Sequence, residues 1–422
     1  MSNTSWETKK LSEIADMCLG KMLDQKKNKG EYYPYLANLN VRWGAIELED
    51  LREMRFEKKE FERFGLKYGD IVMCEGGEPG RCAIWKNQAP SMMIQKALHR
   101  IRAKENIDSL FLFYALLNKG LQGHFDGYFT GAAIKHLTGE SLAKVEVKLP
   151  EYSVQKKIAA ILETYDDLIE NNLKRIKLLE EVAQITYEEW FVRMKFPGHE
   201  AAIFDEETGL PEGWNKRPIS DFCEKITDGT HDSPKQVEQG VPLITGKHIE
   251  NGFINFESAY LISYEDHEQI KKRSGLSEWD ILFSNIGTLG HTGVVTEDFE
   301  YSCKNVVIFK RKHGFEYFLY SYLSNEHTVN KLDSMSSGVA QKFYSLKFIR
   351  ALEEILPSDA LIKEFNSLAE PIFSAKYQLN NQIKLLKEAR DILLPRLMTG
   401  MIDIEQVELP EAMLQRLEQQ EN

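Results

Sequence analysis

One helical phrase occurs twice in this chain of 422 residues, and the second copy begins 207 positions after the first. The first copy reads IKLLEEVAQI at Ile176–Ile185, and the second reads IKLLKEARDI at Ile383–Ile392. A single match of this kind can arise by chance in helices rich in Leu, Lys and Glu. The sequence around the two copies therefore decides whether they mark a duplicated structural unit.

The segments that flank the phrase repeat in the same order. FLFYALLN at Phe111–Asn118 corresponds to FLYSYLSN at Phe318–Asn325, again 207 positions apart. Farther upstream, GLKYGDIVMCEGGEPG at Gly65–Gly80 corresponds to GLSEWDILFSNIGTLG at Gly275–Gly290, with an offset of 210. Small loop insertions in a duplicated module of about 200 residues explain both the common order and the drifting offset. We therefore predict a tandem duplication.

Each copy is predicted to contain an α+β domain followed by a long helix. Short strand-like runs bounded by glycine and charged residues, with one helical segment among them, indicate the domain. In the helix, apolar residues alternate at spacings of four and three, as in the seam of a coiled coil. Pro150 and Pro357 precede the two helices, and Pro395 is expected to end the second. The predicted division is a first domain at 1–150, a central helix at 151–194, a linker and second domain at 195–357, a distal helix at 358–400, and a C-terminal tail at 401–422.

The two helices are expected to pair with each other as an antiparallel coiled coil. Polar residues in both seams, Asn172 in the first and Lys376 and Arg390 in the second, favour this pairing over two independent surface helices. Such a pair would form a rod with one domain at each end, and its length would act as a ruler. The seam positions predicted to form the helix and partner interface are Leu162, Tyr165, Ile169, Ile176, Leu179, Ile372, Leu379, Ile383 and Leu386.

The charge argues against a protein that grips nucleic acid alone, because Lys and Arg supply most non-specific affinity and the net charge here is -12. The distribution is uneven. Residues 1–150 contain 23 basic and 20 acidic side chains, a net of +3, whereas residues 201–357 contain 16 and 24, a net of -8. No apolar run approaches the roughly 18 residues of a membrane span, and no signal-peptide pattern opens the chain, so we expect a cytoplasmic protein that does not enter a membrane.

Motifs for catalysis are not found in the sequence. There is no Asn-Pro-Pro-aromatic motif to clamp a flipped adenine, no glycine-rich dinucleotide fingerprint and no HExxH. GVPLITGKH at Gly240–His248 has the wrong spacing for a phosphate-binding loop. The five cysteines lack metal-ligand spacing and are interpreted as reduced thiols. We therefore expect a non-catalytic chain without a bound metal or cofactor.

Four longer segments resemble the specificity subunits of Type I restriction–modification systems. They are the helix entry LPEYSVQKKIAAIL at Leu149–Leu162, the phrase YEEWFVRMKFPGHE at Tyr187–Glu200, the linker GLPEGW at Gly209–Trp214, and the ending LLPRLMTG at Leu393–Gly400. The resemblance covers the full chain and the order of its parts. One departure is Gln155 at the first helix entry, which corresponds to Ile362 in the second.

The resemblance implies two target-recognition domains, each reading half of a bipartite site in double-stranded DNA. It also implies that the helices set the spacer and dock two methyltransferase subunits. Those partners would bind S-adenosylmethionine and methylate adenine N6 after flipping the base from the duplex. Restriction subunits that translocate DNA with ATP and magnesium would complete the nuclease complex.

Residues that contact DNA are expected on glycine-bounded loops at equivalent places in both copies, where Arg, Lys, Asn, Gln and short polar side chains can read base edges. The candidates are Asn38, Asn40, Arg42, Arg81, Lys135 and His136 in the first domain, and His231, Lys247, His248, Asn285, Thr288, His291, Gln341 and Lys342 in the second. The equivalent placement of Asn40 with His248, and of Lys135 with Lys342, favours these pairs.

An alternative hypothesis is a coiled-coil scaffold with two protein-binding domains and no direct DNA readout, which the acidic charge favours. The divergence between the copies favours DNA recognition instead. Helices and framework turns match well, whereas loops such as NLNVRW and GKHIEN do not. This pattern is expected when two similar domains read different targets.

Overall fold

The computed structural model describes residues 6–24, 28–131, 134–286, 289–335, 343–411 and 413–415. It divides into two compact units, Met1–Asn171 with Ile383–Asn422, and Asn172–Gln382. Each unit contains one α+β domain and a part of both long helices. The domain boundaries inferred from the sequence remain a proposal, because this division falls inside the helices.

The first domain contains three small sheets. Its strands are β1 (Glu7–Lys10), β2 (Ala15–Leu19), β3 (Glu31–Leu36), β4 (Arg52–Phe56), β5 (Ile71–Cys74), β6 (Cys82–Ile84), β7 (Met93–Ile94), β8 (Leu98–Ala103) and β9 (Glu146–Leu149). Its helices are α1 (Leu11–Ile14), α2 (Phe61–Phe64), α3 (Ser109–Leu121) and α4 (Gly139–Ala143), and the first long helix, α5 (Tyr152–Tyr187), follows. The sheets have the orders β2-β8-β5-β6, β4-β3-β7 and β1-β9, and β3 and β7 are parallel.

The second domain repeats these sheets strand for strand. Its strands are β10 (Asn215–Pro218), β11 (Cys223–Asp228), β12 (Val241–Ile244), β13 (Ile249–Glu250), β14 (Phe253–Ile254), β15 (Tyr260–Ile262), β16 (Ile281–Ser284), β17 (Thr292–Val294), β18 (Ser302–Cys303), β19 (Val306–Arg311) and β20 (Glu353–Leu356). Its helices are α6 (Tyr264–Ser274), α7 (Glu316–Ser324), α8 (Glu326–Ser334) and α9 (Leu346–Arg350), and the second long helix is α10 (Asp359–Met398). The orders β11-β19-β16-β17, β15-β12-β18 and β10-β20 confirm the duplication, and the hairpin β13-β14 is an addition.

The four-stranded sheet of the first domain is covered on both faces. This explains why its inner strand β5, called the central strand here together with its equivalent β16, is apolar at every position. In β5, Ile71 and Met73 pack in the core that contains α3, whereas Val72 and Cys74 pack in a second core with the three-stranded sheet. Alternate side chains of a strand point to opposite faces, so a strand covered on both faces is not expected to alternate between apolar and exposed polar residues. β16 is also buried along its whole length.

A glycine closes the turn after the central strand in each domain. Gly80 has φ +92° and donates to Cys74 O at 3.0 Å, and Gly290 has φ +83° and donates to Ser284 O at 3.0 Å. A side chain is disfavoured at this φ, and a Cβ would also lie 2.6 Å from the Phe125 ring at the first site. Both domains therefore place a glycine with positive φ at the residue that bonds back to the last residue of this strand.

The long helices run antiparallel in the unit formed by residues 172–382. Glu180 of α5 contacts Lys376 of α10 at 3.1 Å, and Tyr187 of α5 packs on Phe365 of α10 with ring centroids 6.2 Å apart. The residue number of the contact in α10 falls as the residue number in α5 rises, as an antiparallel pair requires. The other unit contains a corresponding contact, Asp166 to Arg390 at 2.7 Å. The predicted fold class, tandem α+β domains with two long antiparallel helices, is confirmed.

The ends of these helices differ from the expectation at one place. α5 continues into a π-helical turn at Glu188–Val192, and α10 continues through Pro395 to Met398. The prediction that Pro395 ends α10 was therefore wrong by about one turn, since proline removes one donor but does not prevent a final turn from forming after it. Among the helices of the described residues, none has a segment long and apolar enough to cross a membrane.

Candidate nucleic-acid interface

In the first domain three loop segments meet at the end of the central strand. Asn38 lies in a short 3₁₀ turn at Asn38–Asn40, and its Nδ2 donates to Gly76 O at 2.8 Å. Arg81 Nη2 donates to Asn38 O at 2.9 Å. A Cβ added to Gly76 would lie 2.9 Å from His136 Nδ1, so the absent side chain lets the imidazole approach the loop. Asn38, Arg81 and His136 are thus brought together.

Two cationic candidates complete this first loop surface, which we define as Asn38, Arg42, Arg81, Lys135 and His136. Arg42 is exposed and pairs with Glu47 at 2.7 Å. Lys135, next to His136, is exposed and lies over the Phe129 ring at 5.5 Å. Exposed ion pairs of this kind contribute little to stability, so Arg42 can exchange its partner for a DNA group at small cost.

The sequence reasoning missed two residues that adjoin the first loop surface, Glu78 and Trp43. Glu78 accepts hydrogen bonds from Arg81 Nη1 at 2.6 Å and from Trp43 Nε1 at 2.7 Å. Trp43 also packs against Gly120, where a Cβ would lie 2.3 Å from the ring. The signal was available, because Glu78 lies inside the glycine loop and Trp43 follows Arg42. Glutamate is not among the residue types expected above to read bases, although it can accept a hydrogen bond from cytosine N4.

In the second domain the equivalent loops also meet. The 3₁₀ turn Gly246–His248 corresponds to Asn38–Asn40, and Lys247 at its centre is exposed. His291 corresponds to Arg81, and its Nδ1 lies 2.9 Å from Ile249 O just after this turn. We define Lys247 and His291 as the second loop surface. His231 is fixed separately, with Nε2 2.6 Å from Asp228 Oδ2 and Nδ1 2.9 Å from Asn305 Oδ1.

Three further candidates of the second domain, Thr288, Gln341 and Lys342, lie outside the described residues. The proposed equivalence of Lys135 with Lys342 therefore stays a prediction.

Three candidates have buried side chains that serve the fold, which corrects their predicted role. Asn40 and His248 are each 2% exposed. Asn40 Oδ1 accepts from Ala37 N at 3.0 Å, and His248 Nδ1 accepts from Thr245 N at 2.8 Å, so each closes its own turn. Burial lowers the pKa of His248, which favours the neutral ring that this acceptor role requires. The two positions are equivalent as predicted, but as turn caps.

Asn285 is the third such residue. It is 6% exposed, and its Nδ2 donates to Tyr344 O at 3.0 Å while Tyr344 N donates back to Asn285 O at 3.0 Å. In the first domain, Leu137 N donates to Glu75 O at 2.8 Å at the corresponding place. Asn285 therefore ties the central strand to the loop that precedes α9, and its side chain is not available to DNA.

One group among the described residues has the arrangement of metal ligands. The ligand atoms of His267, Glu268 and Glu300 all lie within 4.8 Å of one another. Lys271 Nζ contacts the carboxylates of both Glu300 and Glu268, the latter at 3.8 Å. The Lys271 ammonium thus already offsets part of the charge of these two exposed acids, and we propose no metal site here.

The repeated phrase has an inner and an outer face. The predicted interface positions are all buried or partly buried and therefore face the core. On the outer face, Leu178 and Ile185 are each 60% exposed, and their equivalents Leu385 and Ile392 are 65% and 45% exposed. Sequence reasoning missed these four because it followed the seam alone. The repeat itself was the signal, since it preserves exposed apolar residues that helix pairing does not require.

Comparison with known proteins gives a consistent result. A family model described as the Type I restriction modification DNA specificity domain matches residues 3–181 and 211–384. The MjaIX specificity subunit of Methanocaldococcus jannaschii is 24% identical over 419 residues, which cover 95% of this chain and 94% of that protein. The EcoBI specificity subunit of Escherichia coli is 22% identical over 354 residues, covering 78% and 73%.

The fold also has a counterpart among solved structures. The crystal structure of a Type I restriction–modification system S subunit from M. genitalium aligns with a TM-score of 0.55 at 15% identity, and the alignment covers 94% of this chain and 97% of that one. At this identity the likeness concerns the fold.

Proposed function

We propose, from the premise that this chain belongs to the family of Type I restriction–modification DNA specificity subunits, that it reads a bipartite DNA site, one half with each α+β domain. The observation that supports this most directly is the pair of equivalent loop surfaces. Their backbone turns match, whereas their exposed side chains differ. Two similar scaffolds with different hydrogen-bonding groups suit two different half-sites.

Within the first loop surface we assign base reading to the exposed groups, His136 and Arg42. Asn38 supports the loop instead, because its Nδ2 donates to Gly76 O and its Oδ1 is buried. Arg81 organises the surface, because its guanidinium already bonds to Asn38 O and Glu78. Lys135, like Lys247 in the second domain, has a compact charge that suits phosphate. Thr288, Gln341 and Lys342 remain candidates on sequence grounds alone.

We further propose that the outer face of the repeated phrase docks two copies of a methyltransferase subunit. Two identical partners need two equivalent surfaces, and Leu178 with Ile185 and Leu385 with Ile392 provide the same apolar pair twice. The catalytic work would then lie in the partners. The methyltransferase subunits would use S-adenosylmethionine, restriction subunits would use ATP and magnesium, and the assembly would act in the cytoplasm.

Replacing a domain tests the two-reader proposal. Exchange of residues 1–150 for the corresponding domain of a relative should change one half of the methylated motif and leave the other half intact. Sequencing of methylated genomic sites measures both halves at once. If both halves change together, the proposal is wrong, and if neither changes, the scaffold hypothesis is favoured.

A pair of lysine variants tests the second loop surface. In the complex with methyltransferase subunits, Lys247→Ala should weaken binding to all DNA sequences and reduce the slope of log affinity against log salt by about 1, as expected for one lost phosphate contact. Lys235→Ala is the matched control, because Lys235 is also exposed in this domain but lies outside the loop surface. Equal effects of the two variants would contradict the assignment.

Introduction of charged side chains on the outer face tests docking. Leu178→Glu with Leu385→Glu should abolish co-purification of methyltransferase subunits without lowering the melting temperature, because both side chains are exposed. Ile203→Glu is the control, since Ile203 is 71% exposed but lies in the linker. Retention of both methyltransferase subunits by the double variant would place docking elsewhere.

A further inference from the structure

A charged network joins the two long helices in the unit that contains the first domain. Arg390 Nη1 of α10 donates to Asp166 Oδ1 of α5 at 2.7 Å, and Tyr114 OH of α3 donates to Asp166 Oδ2 at 2.6 Å. The side chains of Asp166 and Arg390 are 24% and 22% exposed. The acid is thus satisfied by one group from the domain and one from the other long helix.

A second network occupies the other unit, and its cation is more deeply buried than Arg390. Lys376 Nζ of α10 donates to Glu180 Oε1 of α5 and to Tyr320 OH of α7, both at 3.1 Å, and Tyr320 OH donates to Glu180 Oε1 at 2.9 Å. The Lys376 side chain is 1% exposed, and its ammonium lies 4.9 Å from the centroid of the Phe253 ring. A Cβ on Gly252 would lie 2.4 Å from Lys376 Nζ, so the site is closely fitted to this group.

The duplication does not account for these networks. At the offset of 207, Asp166 and Arg390 correspond to Phe373 and Ala183, and Glu180 and Lys376 correspond to Lys387 and Ile169. If the pairs had come from the duplication, each network would have a charged counterpart at the corresponding positions. Instead, α5 supplies the acid and α10 supplies the base in both units. The two helices therefore carry opposite charges at partly buried positions where their apolar seams are otherwise similar.

We propose that these charges form a pairing code, which makes α5 pair with α10 of the same chain and excludes pairing with the same helix of a second copy. In an antiparallel α5–α5 pair with the register observed here, Asp166 would face Ala183 and Glu180 would face Ile169. Both acids in both copies would then lose their bases. An α10–α10 pair would leave Lys376 without an acid, and Arg390 would lose Asp166 and keep only Asp391 of its own helix, which it contacts at 2.9 Å.

Such a code works because an ion pair in the interior contributes little stability, whereas an unpaired charge there costs much more. Apolar seam positions such as Ile176 and Ile383 are the same residue in both helices and cannot distinguish α5 from α10. A buried ion pair adds little net stability, but one partner left alone in the interior is strongly destabilising. Selectivity therefore comes from the penalty on the wrong pair, as with polar residues in coiled-coil seams. The inference concerns helix pairing only and does not depend on DNA recognition.

Two full-length variants test the code. Asp166→Arg with Glu180→Lys makes both helices basic at these sites, and Lys376→Glu with Arg390→Asp makes both acidic. Each variant alone should lose on the order of 10 °C in melting temperature. When the two are produced together with different tags, they should co-purify as a dimer of about twice the 48.7 kDa chain mass, because α5 of one copy now matches α10 of the other.

The chain that carries all four substitutions restores complementarity within itself. It should be monomeric, and its melting temperature should lie closer to that of the natural chain than that of either double variant. This comparison and the co-production experiment remain decisive even if each double variant alone fails to fold. Glu181→Lys and Lys387→Glu reverse exposed charges on the same helices and serve as controls with no expected effect on either measurement. Failure of the fourfold variant to recover, or equal formation of like and unlike dimers, would overturn the proposal.

Discussion

The two domains bury a carboxylate at the same place but neutralise it with different groups. In the first domain, Asp70 accepts two hydrogen bonds from Arg102, from Nε and Nη2, each at 2.7 Å. In the second domain, Asp280 accepts from the Lys310 ammonium and from Arg311 N, the latter at 3.0 Å. Each carboxylate also accepts the backbone N–H three residues earlier, at 2.7 Å. The hydrogen bond that closes the turn is preserved, while the cation that pairs with the carboxylate differs between the two domains.

At the first turns of the two long helices, the side chain that accepts a backbone N–H group also differs between the copies. Gln155 Oε1 accepts from Asp108 N at 3.1 Å, and its Nε2 donates to Pro150 O at 3.0 Å. The equivalent Ile362 is fully buried, and Asn366, one turn later, takes over this kind of bond by accepting from Phe318 N at 2.9 Å. The helix entry does contact its surroundings differently, as the sequence departure indicated.

These differences show that a duplicated fold preserves hydrogen-bonding roles more strictly than residue types. A buried donor must find an acceptor, because an unsatisfied one costs about 1–3 kcal/mol. Which side chain supplies the acceptor, and from which turn of a helix, is free to vary. The comparison of the two domains can therefore be tested by removing or exchanging the groups that fill the same role.

The largest effect is expected from removal of the buried carboxylates. Asp70→Ala and Asp280→Ala should each destabilise their domain by about 3–5 kcal/mol, because a cation and backbone donors lose their partner in the interior. Asp280→Ala should cost at least as much as Asp70→Ala, since it leaves two backbone N–H groups unsatisfied rather than one. Urea unfolding measures both. Asp50→Ala, at an exposed position, is the control and should stay within about 0.5 kcal/mol of the natural chain.

A smaller effect is expected at the helix entries. Gln155→Leu and Asn366→Ala should each lower the free energy of unfolding by about 1–3 kcal/mol, because each leaves a buried backbone N–H without an acceptor. A matched comparison is Asp108→Ala, because Asp108 Oδ1 accepts from Phe111 N at 2.8 Å at the place that corresponds to Phe318 N. It should lower the free energy of unfolding by about 1–2 kcal/mol. No loss in Asp108→Ala would show that the two equivalent N–H groups do not depend on a side-chain acceptor in the same way.

Much of this fold could be predicted from the sequence, because the same sequence patterns occur in both copies of the duplicated unit. The seam of the long helices and the glycine turns follow from periodicity and from matched offsets. The orientation of individual loop side chains could not be predicted. Asn40 and His248 have the composition of DNA-reading residues, and only the backbone path shows that they point inward to close a turn. Only one half of each helix network could be predicted: Lys376 and Arg390 lie in the seam and were recognised there, whereas their acids, Asp166 and Glu180, lie beside it.

The smallest expected effect concerns these two turn caps and their response to pH. Asn40 and His248 play the same acceptor role, but only His248 can be protonated. Its folded-state pKa is lowered by burial, so the unfolded chain binds the proton more readily. The stability contributed by the neutral ring is therefore present above an unfolded pKa of about 6.5 and is lost as the pH falls below it, by at most about 1.4 kcal/mol per pH unit.

Exchanging the caps separates this contribution from all other titrating groups. His248→Asn should unfold with nearly the natural free energy at pH 8 and lose less stability between pH 7 and pH 5, because the Asn amide oxygen accepts the Thr245 N–H at every pH. Asn40→His should introduce the same sensitivity into the first domain. Urea unfolding of both variants at several pH values measures the slopes. If His248→Asn keeps the natural pH dependence, the ring does not titrate with unfolding, and the equivalence of the two caps would then be one of shape alone.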